Sequence, residues 1–167
     1  MTEKLGKIFV AIEDQICVIK LVGDIRVTLC SSIDKYIEKI FASKFPFKNI
    51  VIDLMEAETI DSTSLGLLAK MSLYAQQRFS IKPTIFTTNP SITKLLDSVG
   101  FAQIFNIETS FDSHLEAMKR KELKTSESSN EAKVREKVIE AHKILMSLNN
   151  ENKEAFKELV NTLENDS

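Results

Sequence analysis

The sequence predicts an α/β fold, a mixed sheet with crossover helices and an added C-terminal helical extension, and three observations carry that prediction. Two opening segments rich in β-branched residues are separated by a short polar turn. An almost unbroken apolar run follows at 50–55. From there strand-like and helix-like segments alternate, the order that gives parallel strands joined by helices packed on the sheet.

Each element has its own signal. Residues 7–13 alternate around Ile8, Val10 and Ile12, and 15–22 are rich in β-branched side chains, so Glu13-Asp14-Gln15 reads as the turn of a hairpin. Gly23-Asp24 reads as the end of the second strand. From Leu29 the period changes to helical, with Leu29, Ile33, Tyr36, Ile37, Ile40 and Phe41 on one face, and Pro46 closes that segment. The apolar run at 50–55 fits a strand covered on both sides. A helix over about 63–79 turns Leu65, Leu68, Met71 or Ser72, Ala75 and Phe79 inward. Pro83 leads into a short strand at 84–88, and Asn89-Pro90-Ser91 starts a helix with Ile92, Leu95, Leu96 and Val99 inside and Gly100 as its left-handed terminator. An edge strand at 103–107 and a helix over about 110–123 complete the order ββαβαβαβα.

The polar, Ser-rich stretch 124–130 reads as a linker, dividing the chain into residues 1–123, the linker, and an extension at 131–167. In the extension Val134, Val138, Ala141, Leu145 and Leu148 mark one helical stripe. After Asn149-Asn150, residues Phe156, Leu159, Val160 and Leu163 mark another. Isolated helices of this length are marginal in water. They therefore fold back on the domain, pair with each other, form a homodimer contact or serve as a partner-binding arm. Their Lys and Glu residues show no basic excess, so they do not read as membrane-surface helices.

Composition narrows the function. A net charge of −2 with 43% hydrophobic residues gives no basic stripe for nucleic acid. No apolar stretch approaches the ~20 residues of a membrane span. The start of the chain has no signal-peptide pattern, and Cys17 and Cys30, each in an apolar segment, fit a reducing cytoplasm rather than a disulfide framework. His114 and His142 both read as surface residues rather than catalytic bases, and no Cys/His pair has zinc spacing. Four glycines leave no phosphate-binding loop or dinucleotide fingerprint. The sequence gives no enzyme, no catalytic residues, no metal and no cofactor. The carboxylates Asp53, Glu56, Glu58 and Asp61 leave a small phosphate-accepting enzyme as the remaining catalytic reading.

The segment Asp61-Ser62-Thr63-Ser64-Leu65-Gly66 places a carboxylate and three hydroxyls where a strand gives way to a helix, after the third strand of the predicted order. Such residues serve as helix caps, and the free N–H groups and dipole of the first turn also tolerate a phosphate. Binding sites in parallel sheets gather at the carboxyl ends of strands, which is where this segment falls.

This segment and Leu95-Leu96-Asp97-Ser98-Val99-Gly100-Phe101 are two anchors by which the chain resembles the STAS family of anti-sigma-factor antagonists over roughly residues 7 to 120. The family pattern reads Asp-Ser-Ser/Thr-Gly-Leu-Gly, and Ser64 stands where its first glycine is expected. The resemblance implies a STAS-like fold and a phosphate acceptor at Ser62, with Thr63 and then Ser64 as alternatives. It also implies a partner-binding surface of Asp61, Ser62, Thr63, Ser64 and Leu65, with Asp61 positioning the loop or the kinase contact. The implied partners are an anti-sigma factor and a Ser/Thr kinase, which can be one protein, and a phosphatase. Unphosphorylated, the chain would hold the anti-sigma factor and so control transcription in the bacterial cytoplasm. The alternative is a non-catalytic STAS subunit of a lipid-transport or stressosome-type assembly.

Overall fold

The computed structural model describes residues 5–125 and 130–165. Strands β1 (Lys7–Glu13) and β2 (Ile16–Ile25) form an antiparallel hairpin with Ile12 opposite Cys17. Its two-residue turn holds Asp14 and Gln15 at φ 51° and 66°, the twist-matched conformation of tight hairpins. Helix α1 (Val27–Ala42) returns to β3 (Asn49–Asp53), which runs parallel to β2. The helix ends four residues before Pro46.

β2 does not stop at Gly23-Asp24, as its turn-like residues suggested. Gly23 takes φ 81°, the register shifts there, and the strand continues to Ile25. Its first half pairs with β3, and its second half pairs with a strand the sequence reading missed, β4 (Ala57–Ile60). Four residues of mixed polarity, Ala57-Glu58-Thr59-Ile60, are too short to show a period, so tertiary pairing alone makes them a strand. The candidate segment therefore follows β4 rather than β3. Because β4 lies along β2, the N–H of Asp61 donates to the carbonyl of Ile25 at 3.0 Å, two residues before α1 begins.

Helix α2 (Ser62–Phe79), β5 (Thr84–Phe86), α3 (Pro90–Ser98) and β6 (Asn106–Glu108) follow, giving the sheet order β6-β5-β3-β2-β1. Asn89 caps α3 by accepting the N–H of Ser91 at 2.9 Å, and Gly100 leaves the helix at φ 81°. The expected strand at 103–107 is displaced by a 3-10 turn at Phe101–Gln103, which buries Phe101 and Phe105 with ring centroids 5.1 Å apart.

The helix expected over 110–123 is also corrected. Only α4 (Ser113–Ala117) is helical, and β7 (Lys121–Leu123) joins the outer edge of β1. The Arg120 guanidinium donates to the carbonyls of Met118 and Leu115 at 3.0 and 3.3 Å, holding the chain extended where β1 offers unpaired backbone. The main core lies between the sheet and α1, α2 and α3, while Val18, Val51, Phe86, Leu115 and Met118 form a smaller cluster on the opposite face.

The extension forms two helices, α5 (Glu131–Leu148) and α6 (Asn150–Asn165), which pair with each other while α5 lies along α2. Residues 126–129, the middle of the expected linker, lie outside the described residues. Among the described residues no helix is long and apolar enough to cross a membrane.

Candidate functional site

The carboxylate of Asp61 caps two helices at once. Its Oδ1 accepts the N–H of Ser64 at 2.8 Å, satisfying the first turn of α2, and its Oδ2 accepts the N–H of Val27 at 2.7 Å. The second bond supplies what α1 lacks locally, since the Arg26 side chain does not cap that helix. The start of α2 is thereby fixed against the start of α1.

Ser62 is consequently the first residue of α2 and not its cap. It is half-buried, whereas Thr63, Ser64 and Leu65 are buried. The Ser64 hydroxyl lies 3.5 Å from Sγ of Cys30 in the interior. Of the three hydroxyl residues the sequence offered, Ser62 alone is not buried.

The partner of Ser62 is a residue the sequence reading placed on the surface. His142 is 1% exposed, and its Nε2 lies 2.7 Å from Ser62 Oγ. Its Nδ1 lies 2.7 Å from the carbonyl of Val138, which can only accept, so Nδ1 carries the hydrogen. In the neutral ring Nε2 is then the acceptor and Ser62 the donor. The ring also meets Phe156 of α6 edge-on at 5.0 Å. In sequence His142 sits beside Ala141 in the apolar stripe of α5, and that adjacency was the available signal.

Gly66 lets α5 come this close. A Cβ on Gly66 would stand 2.3 Å from the carbonyl oxygen of Ala141, so any side chain there forces the helices apart. One turn further on, the Lys70 ammonium donates to Glu140 at 2.7 Å and to Asp34 at 3.2 Å, and Lys137 pairs with the other oxygen of Asp34. At the far end the Asn152 amide donates to the carbonyls of Val99 and Leu145, both at 2.9 Å, and Asn149 lies against Gly100. The extension thus touches both segments that carried the family resemblance.

The carboxylates grouped by sequence are dispersed. Asp53 is buried 3.5 Å from the Arg120 guanidinium; burial pushes its carboxyl above the usual range, opposed by the Met55 N–H and by Arg120. Glu56 pairs with Lys20, and Asp61 is committed to its two caps. Among the described residues no three His, Cys, Asp or Glu side chains converge as a metal site. The cavity beside Thr63 and Ala141 measures about 10 Å³, the space of one water.

Burial raises the thiol pKa of Cys17 to about 12 and that of Cys30 to about 11, with hydrogen bonds from Tyr36 and Ser64 respectively offsetting part of the rise. Since the thiolate is the reactive form, neither cysteine is expected to react with a disulfide reagent in the folded chain at about neutral pH. Both should react at once in denaturant. Rapid labelling of the folded chain would contradict the burial of these side chains.

The STAS domain family model matches residues 7–114, which end before α5. No curated protein matches the chain in sequence. Among solved structures, an anti-sigma factor antagonist from Mycobacterium paratuberculosis is 20% identical with a TM-score of 0.57, covering 68% of this chain and 93% of that one. The Bacillus cell fate determinant SpoIIAA in its phosphorylated form is 13% identical with a TM-score of 0.54, covering 66% of this chain and 96% of that one. A putative anti-sigma factor antagonist from Thermotoga maritima is 16% identical with a TM-score of 0.54, covering 64% and 90%. These likenesses establish the shared fold.

Proposed function

The chain belongs to the STAS domain family, and from that membership and the placement of Ser62 we propose that it is a phosphorylation-switched antagonist of an anti-sigma factor, acting in the bacterial cytoplasm. Unphosphorylated, the segment Asp61, Ser62, Thr63, Ser64 and Leu65 binds the anti-sigma factor through its half-buried residues Asp61 and Ser62, with Thr63, Ser64 and Leu65 buried behind them, and frees its sigma factor. A Ser/Thr kinase, which can be the anti-sigma factor itself, closes the interaction, and a phosphatase restores it. The protein acts by binding and carries no catalysis of its own. The Ser62–His142 pair has the outline of a nucleophile and base, but Nδ1 of the histidine faces a carbonyl and not an acid, and the adjoining cavity, about 10 Å³, has room for one water and not for a substrate.

One observation supports this reading: at the mouth of α2 the residue Ser62 alone of the three is half-buried, with its hydroxyl held by His142, while Thr63 and Ser64 are buried. The N-terminal turn of α2 offsets part of the charge of a phosphate on Ser62, so the sheet and core need not change. Mass spectrometry of the chain purified from its own cells, as wild type and as Ser62→Ala, tests it. The wild type should carry one phosphate within residues 61–65, and the variant none. Ser62 is not a cap, but its removal leaves the buried Nε2 of His142 without a donor, so the variant should lose about 1–3 kcal/mol. Undiminished phosphate on the variant would move the site to Thr63 or Ser64, against their burial.

A further inference from the structure

The helices α5 and α6 occupy the face through which the proposed function works. α5 crosses α2 where Gly66 meets Ala141 backbone to backbone, His142 takes the Ser62 hydroxyl, and Asn152 holds the corner at Val99. The seat is sparse. On α5 only Ala141, His142 and Leu145 are buried, and on α6 only Asn152 and Val160. Toward α1 a cavity of about 320 Å³, lined in part by Asp34, Lys137 and Glu140, leaves the first half of α5 joined to α1 mainly through the Lys137–Asp34 pair. An element held by few buried apolar groups and flanked by a charged gap lies at the low end of local stability.

We propose that α5–α6 is a resident occupant of the Ser62 face, and that its docking and any other engagement of Ser62, by phosphoryl transfer or by a partner, exclude one another. The inference rests on Ser62 as phosphate acceptor. Transfer forms an Oγ–P bond, breaks the bond between the β and γ phosphates of ATP and releases ADP. The hydroxyl proton leaves to the kinase base or to solvent. The product can no longer donate to Nε2, and it sets anionic oxygens against the lone pair of that nitrogen. The ring cannot turn to offer a hydrogen without giving up the Val138 carbonyl. α5 cannot shift inward to adapt, because Ala141 already meets Gly66 with no space for a side chain. The helix pair must lift.

The same geometry keeps a kinase from Ser62 until α5 has lifted, and a partner binds only the fraction of molecules whose face is free. Coupling between two such events is reciprocal, so a partner that holds the face also releases the α5–α6 hairpin of helices. The hairpin and the partner read the same unmodified surface, and phosphate on Ser62 ejects both.

Hydrogen exchange followed by mass spectrometry on the full chain tests this, using wild type, the chain with phosphoserine installed genetically at position 62, and Ala141→Glu. The last alters only the hairpin side of the crossing. In wild type, α5 and α6 should be protected. In the other two forms, exchange across α5 and α6 should rise about tenfold or more, equivalent to ~1.4 kcal/mol of docking, while β1, β2, β3 and α1 keep wild-type rates. Wild-type protection of α5 in the phosphoserine chain would mean that the docked pair accommodates the phosphate, which overturns the proposal. A rise across the whole domain in that chain overturns it as well, and so does an Ala141→Glu chain that stays protected. Because the phosphate is installed, finding none on Ser62 in cells would refute the proposed function without touching this result.

Discussion

Asp61→Ala is expected to lower the unfolding free energy by about 2–4 kcal/mol, more than any other single polar substitution at the mouth of α2. Asp61 combines two roles that separate residues usually share. One oxygen terminates α2 and the other terminates α1, through bonds of 2.8 and 2.7 Å. Removing the carboxylate leaves two helix-end N–H groups without their charged acceptor in a part-buried setting, and Val27 has no replacement on its own helix. Asp61→Asn keeps one acceptor oxygen, so it should fall between the wild type and Asp61→Ala. Urea unfolding of the three chains gives the order directly. A loss below about 0.5 kcal/mol for Asp61→Ala would mean that water replaces both bonds, and that Asp61 serves recognition alone.

The same residue shows how much of the site the sequence made legible. Asp-Ser-Thr before an apolar helix is a local signal, and the structure places that helix one residue earlier than the periodicity did. The Asn89-Pro90 start of α3 and the Gly100 exit are equally local and equally readable. What could not be read is pairing at a distance. β4 and β7 are four and three residues long, and they are strands only because β2 and β1 offer them backbone partners. The bond from Asp61 to Val27 spans 34 positions and has no sequence signature.

His142 was misread for a related reason. A polar residue beside an apolar stripe is ordinarily solvated, and only the seating of α5 on Gly66 turns that ring inward. The inner face assigned to α2 from periodicity included Leu65, Leu68 and Ala75, which are buried, but α2 also buries Gly66, Leu67 and Lys70. A second covered side has no period of its own when its residues are a glycine and a lysine. Lys70 is held there by Glu140 and Asp34, so its charge reflects an internal ion-pair network and not a solvated face.

Phosphorylation of Ser62 is expected to weaken binding of the anti-sigma factor about a hundredfold or more. The modification adds about −1.5 to −2 charges beside the Asp61 carboxylate. In a partner interface that charge must be desolvated or set against like charge, and a penalty of ~3 kcal/mol already gives a hundredfold loss. The α2 N-terminus softens the cost for the free chain, not for a partner that must bury the dianion. The deciding measurement is the equilibrium affinity of the unmodified chain and the phosphoserine-62 chain for the anti-sigma factor isolated with it from its own cells. The unmodified chain should bind tightly, and phosphorylation should weaken binding about a hundredfold. Equal affinity of the two forms would contradict it, leaving the Ser62 face outside the interface and the chain a non-catalytic STAS subunit without a phosphorylation switch.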